Sequence, residues 1–247
     1  MSAIRNTAVV FRRELKSYFE SPVAYVFMIV FLVLIGFLTF SLSSFYERQV
    51  ADLLPFFMWH PWVYLLLVPA ATMGLWAEER RAGTIELLLT MPITMLEAIM
   101  GKFLAAWLFI LIGLALTFPI IMTTMYLGNP DLGVIMCGYA GSALLAGTYV
   151  AVGMLTSSMT RSQVIAFVIA LVVCLLLLLA GLPPIISMFS NWAPIWLVEG
   201  VAAFGVWPHI ESIQRGVIDV RDIAYYLSLI VFLICATHVI LDNRKSF

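Results

Sequence analysis

Charge is what this sequence most lacks: Asp, Glu, Lys and Arg make up only 11% of its 247 residues, against roughly 25% in soluble domains. With 63% hydrophobic residues and a mean hydropathy of +1.06, a soluble globular protein is excluded. Cysteine is scarce too. Cys137, Cys174 and Cys235 stand singly in three different apolar stretches, which excludes a disulfide framework and a CxxC metal site and leaves them as small side chains in the lipid phase. Neither sign of charge dominates: 13 Lys plus Arg face 14 Asp plus Glu, a balance that speaks against a nucleic-acid binder. The apolar–polar alternation of a transmembrane β-barrel is also missing, and continuous apolar runs such as 172–179 exclude one.

What is present is a series of charge-free windows. A charge at mid-bilayer costs several kcal/mol, and one helical crossing needs about 20 apolar residues. Six windows qualify: 21–46, 53–77, 103–130, 132–160, 162–198 and 223–241. The fifth is too long for one helix and is interrupted by Pro183 and Pro184. It reads as a helix ending near Gly181, followed by a short re-entrant helical segment over 182–220. Ser41-Leu42-Ser43 mimics a signal-peptidase site. The apolar run before it, about 20 residues, exceeds the 7–15 of a secretory h-region, so an anchor that stays is expected.

Six crossings place both termini on one side. That side collects ten of the thirteen basic residues (Arg5, Arg12, Arg13, Lys16, Arg80, Arg81, Lys102, Arg161, Arg244, Lys245), leaving Arg48, Arg215 and Arg221 for the other. Positive charge is retained in the cytoplasm, so cytoplasmic termini follow. In the segment 1–20, Ile4, Ala8, Phe11, Leu15 and Phe19 recur at helical spacing, with the basic residues largely elsewhere. This predicts an amphipathic helix lying in the membrane interface, either a charge anchor that fixes topology or an elbow that also touches a cytoplasmic partner. Ser21-Pro22 supplies a cap and a first-turn proline for the next helix.

Between crossings two and three the chain reads WAEERRAGTIELLLTMPITMLEAIMGK from Trp76. Two helix starts are legible: Thr84 followed by Glu86, and Thr94 with Glu97 in capping-box spacing. A short, partly apolar helix between them ends at Pro92 and needs something to dock against. The run EERRAGTIELLLTMPI resembles the intracellular loop of ABC-2 type transporter permeases, in particular their gliding-motility-associated branch. The elbow, the six crossings and the long insertion before the sixth are similar to that family over essentially the whole chain.

The resemblance implies one ABC-2 transmembrane domain over 1–247 in a multi-pass protein of the bacterial inner membrane, with a coupling segment over 77–101. That segment would sit in a groove of an ATP-binding subunit through Glu78, Glu79, Arg80, Arg81, Gly83, Thr84 and Glu86. It also implies partners: two ABC ATPases that bind the ATP and Mg, and a second permease copy or a related membrane subunit, one candidate carrying a large extracytoplasmic domain. The implied cargo is lipidic or polymeric and the direction outward. No P-loop is encoded, because the one Gly-Lys pair, Gly101-Lys102, is followed by Phe103 and preceded by no suitable glycine. A non-catalytic subunit with no cofactor of its own is therefore expected.

The fourth crossing carries two small-residue stripes, Gly138, Ser142, Ala146 and Ala143, Gly147, Ala151, suited to close helix packing or to a dimer or substrate surface. Pro61, Pro69 and Pro119 predict kinks. His60, between Trp59 and Trp62, reads as interfacial. Glu199, among Trp192, Trp196 and Trp207, reads as a water-facing carboxylate or a contact for cargo or an extracytoplasmic partner. Asp219 and Asp222 occupy cap and third positions of the last helix. Ser142 and His238 echo an intramembrane serine-protease dyad, but their depths differ by roughly 10 Å, where a base must lie within about 3 Å of its nucleophile. A secondary transporter or channel, or a scaffold anchor, are the competing classes; the first would need intramembrane ionisable groups, and crossings one to four and six hold no mid-depth acid.

Overall fold

The computed structural model describes residues 3–43, 45, 47, 52–84, 93–190, 193–217 and 219–243. Among them every regular element is helical: α1 (Ala3–Glu20), α2 (Pro22–Phe37, continued by a wider π-helical turn, Leu38–Leu42), α3 (Leu54–Thr72), α4 (Ala77–Ala82), α5 (Met95–Ala115), α6 (Phe118–Leu127), α7 (Leu132–Met159), α8 (Gln163–Ala180), α9 (Pro183–Ser190), α10 (Ile195–Phe204), α11 (Val206–Gln214) and α12 (Val220–Asn243). Six spans within the described residues are long and apolar enough to cross a membrane: Pro22–Leu42, Leu54–Ala82, Met95–Leu127, Leu132–Met159, Gln163–Ala180 and Val220–Asn243. The chain is an all-α, multi-pass membrane protein.

The two least hydropathic spans are the most enclosed. Within their most apolar windows α7 is 61% buried and the α3–α4 span 56%, against 22–33% for the other four. Lipid solvates the apolar helices, while hydroxyls and small residues are driven inward. Along α7, Ser142, Thr148, Thr156, Ser157 and Ser158 are all buried. The small residues of α7 admit neighbours closely: a Cβ on Gly138 would strike the Phe57 ring, one on Gly147 would press on Trp107 and Ile230, and one on Gly153 would overlap the Thr72 hydroxyl. Ala146 is fully enclosed and Ala143 half-buried.

Helix ends follow local chemistry. Thr94 caps α5 with the full box, its hydroxyl accepting from the Glu97 amide and the Glu97 carboxylate accepting from the Thr94 amide. Asp131 caps α7 through Gly133 and Val134. Ser21 has cap geometry ahead of Pro22, but its hydroxyl makes no capping bond. Pro119 lies in the first turn of α6, after a break at Leu116-Thr117, so the third span is split rather than kinked; Pro61 and Pro69 stay inside α3.

The α1 face turned to the bundle is Val10, Glu14 and Tyr18, while Ile4 is 83% exposed and Ala8 exposed. The rest of the apolar stripe, Phe11, Leu15 and Phe19, is half-buried, the Phe19 ring meeting Phe109 edge-on at 6.0 Å. One reading of the sequence needs correction: His60 is not interfacial. It is fully buried in α3 among Phe31, Phe56, Phe57 and Tyr64, its Nδ1 on the Phe56 carbonyl at 3.0 Å. Trp62 turns outward and Trp59 donates to the Ser43 hydroxyl at 2.7 Å, so the indoles mark the edge and the imidazole does not. Cys174 likewise faces the core, Cys137 is half-buried and Cys235 is exposed.

Among the described residues the segment ahead of the last span holds three short helices, α9 to α11. Gly181 and Gly205 meet backbone to backbone and seat α11 against the end of α8. The Gln214 amide donates to the Phe57 carbonyl at 2.9 Å.

Candidate functional site

The face carrying α1 gathers the start of α2, the end of the second span, the start of α5, the end of α7 and the start of α8. Its organising residue is Lys102. The side chain is only 2% exposed, and its ammonium lies 2.9 Å from Glu79 Oε1 and 3.2 Å from Glu14 Oε1. Arg13 joins the same carboxylates, at 2.6 Å from Glu14 and 3.5 Å from Glu79. The Trp76 ring lies 5.2 Å from the ammonium, within cation–π range. Two cations and two anions balance, which a buried cluster requires, since an unpaired charge there would be strongly destabilising. Burial pushes the Glu14 carboxyl up, yet Lys102 and Arg13 outweigh it and hold it below the ordinary carboxylate value. Burial and the nearby Glu14 charge push the Tyr18 hydroxyl up.

The cluster ties three elements together. Glu14 belongs to α1, Glu79 to α4 and Lys102 to α5. Further bonds hold each in place: Tyr18 donates to the Ala71 carbonyl at 2.9 Å, and Asn6 to the Glu97 carboxylate at 3.2 Å. A Cβ on Gly101 would press on Val10 at 2.7 Å, so this glycine lets α1 lie directly on α5.

The turn before α4 is clamped to the end of α7. Ser157 accepts from the amides of Trp76 at 2.9 Å and Ala77 at 3.0 Å and donates to the Met73 carbonyl at 2.9 Å. Arg80 donates to the Ser158 carbonyl at 2.6 Å. Helix α4 stops at Gly83, whose φ of 70° is left-handed and suits glycine. Thr84 closes the end of α4, its amide and hydroxyl both reaching the Glu79 carbonyl, at 3.0 and 3.3 Å; the helix expected to start from it lies outside the described residues.

Of the residues expected to meet a partner, Glu79 and Arg80 turn inward, and Glu78, Arg81, Gly83 and Thr84 are exposed. Glu86 lies outside the described residues, as does the expected short helix up to Pro92. Residues 95–101 are the first turns of α5, with Met95, Ala98 and Ile99 buried under α1, so the accessible part of the 77–101 segment is narrower than its sequence boundaries. The sequence reading passed over Glu14 and Lys102. One looks like a stray acid in a basic helix, the other like one more topogenic cation; a Lys followed by a long apolar window, with an acid on each preceding element, is the only signal available.

On the opposite face, His209 Nδ1 lies 2.7 Å from Asp222 Oδ1, and its ring stacks on Tyr225 at 4.0 Å. Tyr225 and Tyr226 donate to the carbonyls of Phe204 and Val206. Asp219 caps α12 as expected, accepting from the Arg221 amide at 3.0 Å; Asp222 pairs across to α11 instead of closing a capping box. Glu199 is exposed on α10. Among the described residues no group of three His, Cys, Asp or Glu side chains is placed to hold a metal.

The family model described as "ABC-2 family transporter protein" matches residues 66–195, more than half of the chain, running from the end of α3 to the start of α10 and taking in Glu79 and Lys102. No curated protein matches the chain.

Proposed function

The chain belongs to the ABC-2 family of transporter proteins, and from that premise we propose that it is the non-hydrolysing permease subunit whose α4 turn receives force from separate ATPase subunits. ATP and Mg are bound by those partners, two per assembly, which pair with two permease chains or with this chain and a related membrane subunit, one candidate carrying a large extracytoplasmic domain. The termini are cytoplasmic and the membrane is the bacterial inner membrane, in keeping with the ten-to-three distribution of basic residues. The run EERRAGTIELLLTMPI favours the gliding-motility-associated branch, and a lipidic or polymeric cargo moved outward accords with it.

The observation that carries this reading is the Lys102 cluster. Glu78, Arg81, Gly83 and Thr84 present an exposed patch on a helix of one and a half turns, while Glu79 in that helix grips a cation shared with α1 and α5. A displacement of α4 therefore reaches the elbow and the third span through a contact too costly to break, and reaches α7 through Ser157 and Ser158. ATP-driven closure of the partners would rock the bundle by this route. The small-residue stripe Gly138, Ser142, Ala146, with Ala143 and Gly147 beside it, supplies the close contacts across which helices move together, and Glu199 is the exposed acid available to cargo or an extracytoplasmic partner.

The test is Arg81→Glu in the chain co-reconstituted with its ATPase. Transport-coupled hydrolysis should fall about tenfold, a loss of about 1.4 kcal/mol of coupling, with the thermal unfolding midpoint unchanged because Arg81 is exposed. Wild-type hydrolysis and ATPase retention in that variant would defeat the docking assignment.

A further inference from the structure

Between α1, the start of α2 and the end of α3 lies a cavity of about 690 Å³. Its floor is the charged cluster, with Glu78 added to Arg13, Glu14, Glu79 and Lys102; its upper wall is apolar, from Phe27, Ala70 and Phe109. The lining runs from polar to apolar in one direction, from Ser21 to Phe27 at the start of α2 and from Lys102 to Phe109 along α5. The rise from Lys102 to Phe109 is about 10 Å at 1.5 Å per residue, about two-thirds of one leaflet of hydrocarbon, itself half of roughly 30 Å.

The site is therefore shaped for an amphiphile, polar at the charged floor and apolar at the upper wall. Its charge narrows the choice. Arg13 and Lys102 face Glu14, Glu78 and Glu79, a net charge of −1 (two cations against three anions), so the complement is a ligand that brings a cation. Glu79 Oε2 is buried with no hydrogen-bond partner, and a primary ammonium offers three donors. A phosphate on the same headgroup has the half-exposed Arg13 guanidinium and the Ser21 hydroxyl, which makes no capping bond.

We propose that this chamber binds one glycerophospholipid with a primary-amine headgroup, drawn from the leaflet beside α1, its ammonium against Glu78 and Glu79 and the start of one acyl chain against Phe27, Ala70 and Phe109. The lipid wedges the elbow against the first and second spans, its ammonium meeting Glu78 and its phosphate meeting Arg13. The inference needs only the membrane embedding; it shares Glu78 with the proposed ATPase patch but not Arg81.

Native mass spectrometry of the full-length chain, extracted from vesicles of equal phosphatidylethanolamine and phosphatidylglycerol, reads the occupant directly. One retained phosphatidylethanolamine per chain is expected, enriched about tenfold over phosphatidylglycerol. Ala70→Phe should abolish the adduct by filling the apolar wall of the chamber. Glu78→Gln should erase the headgroup preference while keeping an adduct; Ala70→Leu fills the same wall if Ala70→Phe does not fold. Adducts that follow the bulk lipid ratio overturn the proposal. So do retention in the filled variants, displacement by soluble glycerophosphoethanolamine, which would make the site one for a free headgroup, and a dimer that carries no lipid. Loss of ATPase coupling in Arg81→Glu with the adduct intact separates the two readings.

Discussion

Lys102 bears the largest single consequence of any side chain on the elbow face. A buried ammonium held by two carboxylates contributes little over an apolar replacement of the whole cluster, but removing it alone leaves Glu14 and Glu79 with only the half-exposed Arg13 guanidinium between them, at a cost of up to about 3–5 kcal/mol. Lys102→Met should therefore lower the thermal unfolding midpoint sharply and expose the α1–α5 junction to protease. Adding Glu14→Gln and Glu79→Gln to Lys102→Met should restore most of the loss. A triple variant as unstable as the single one would show that Lys102 acts through packing rather than charge. None of this was legible in the sequence, where Glu14 and Lys102 are 88 positions apart and each has an ordinary local explanation.

At the scale of elements, the six crossings and their limits could be read almost directly, because the energy of placing charge in lipid is larger than any local preference. The order of burial was also encoded. The second and fourth spans have the lowest hydropathy, 1.3 and 1.5, and a helix less suited to lipid must find protein neighbours. Closeness between those two spans rests on Gly153, whose missing Cβ admits Thr72, itself bonded to the Val68 carbonyl at 2.8 Å. Gly153→Ala should force α3 from α7 at about 1–3 kcal/mol, seen as a lowered unfolding midpoint. Gly36→Ala, with nothing within 4 Å of the added carbon, should be neutral or stabilising, so equal losses in both would count against the packing account. On α1, periodicity finds the apolar stripe of an interfacial helix but not the stripe that meets the bundle. The protein-facing stripe holds Glu14 and Tyr18.

Over the whole molecule, each face is closed by a charge-bearing contact between elements distant in sequence. The elbow face has the Lys102 cluster. The opposite face has His209 with Asp222, which ties α11 of the re-entrant segment to the first turn of the last span. Asp222→Asn keeps the shape and removes the charge, so the charge-assisted bond, worth about 1.5–3 kcal/mol, is lost. Hydrogen exchange across 206–214 should then quicken while exchange across α7 stays slow. Unchanged exchange would mean that the buried Val206, Ile210 and Ile213 hold α11 unaided.

The sequence alone determined the all-α class, the number of crossings, the interruption after Gly181, the capped start of α5 and, through the loop after Trp76, the family. Each of these follows from short-range or one-dimensional properties: transfer free energy, proline and glycine geometry, spacing on one helix. Which charges are buried, which face of α1 meets the bundle, where His60 points and how the chamber beside α1 passes from a charged floor to an apolar wall were decided only in three dimensions. They depend on side chains from separate helices converging in a medium where an unpaired polar group has no water to turn to.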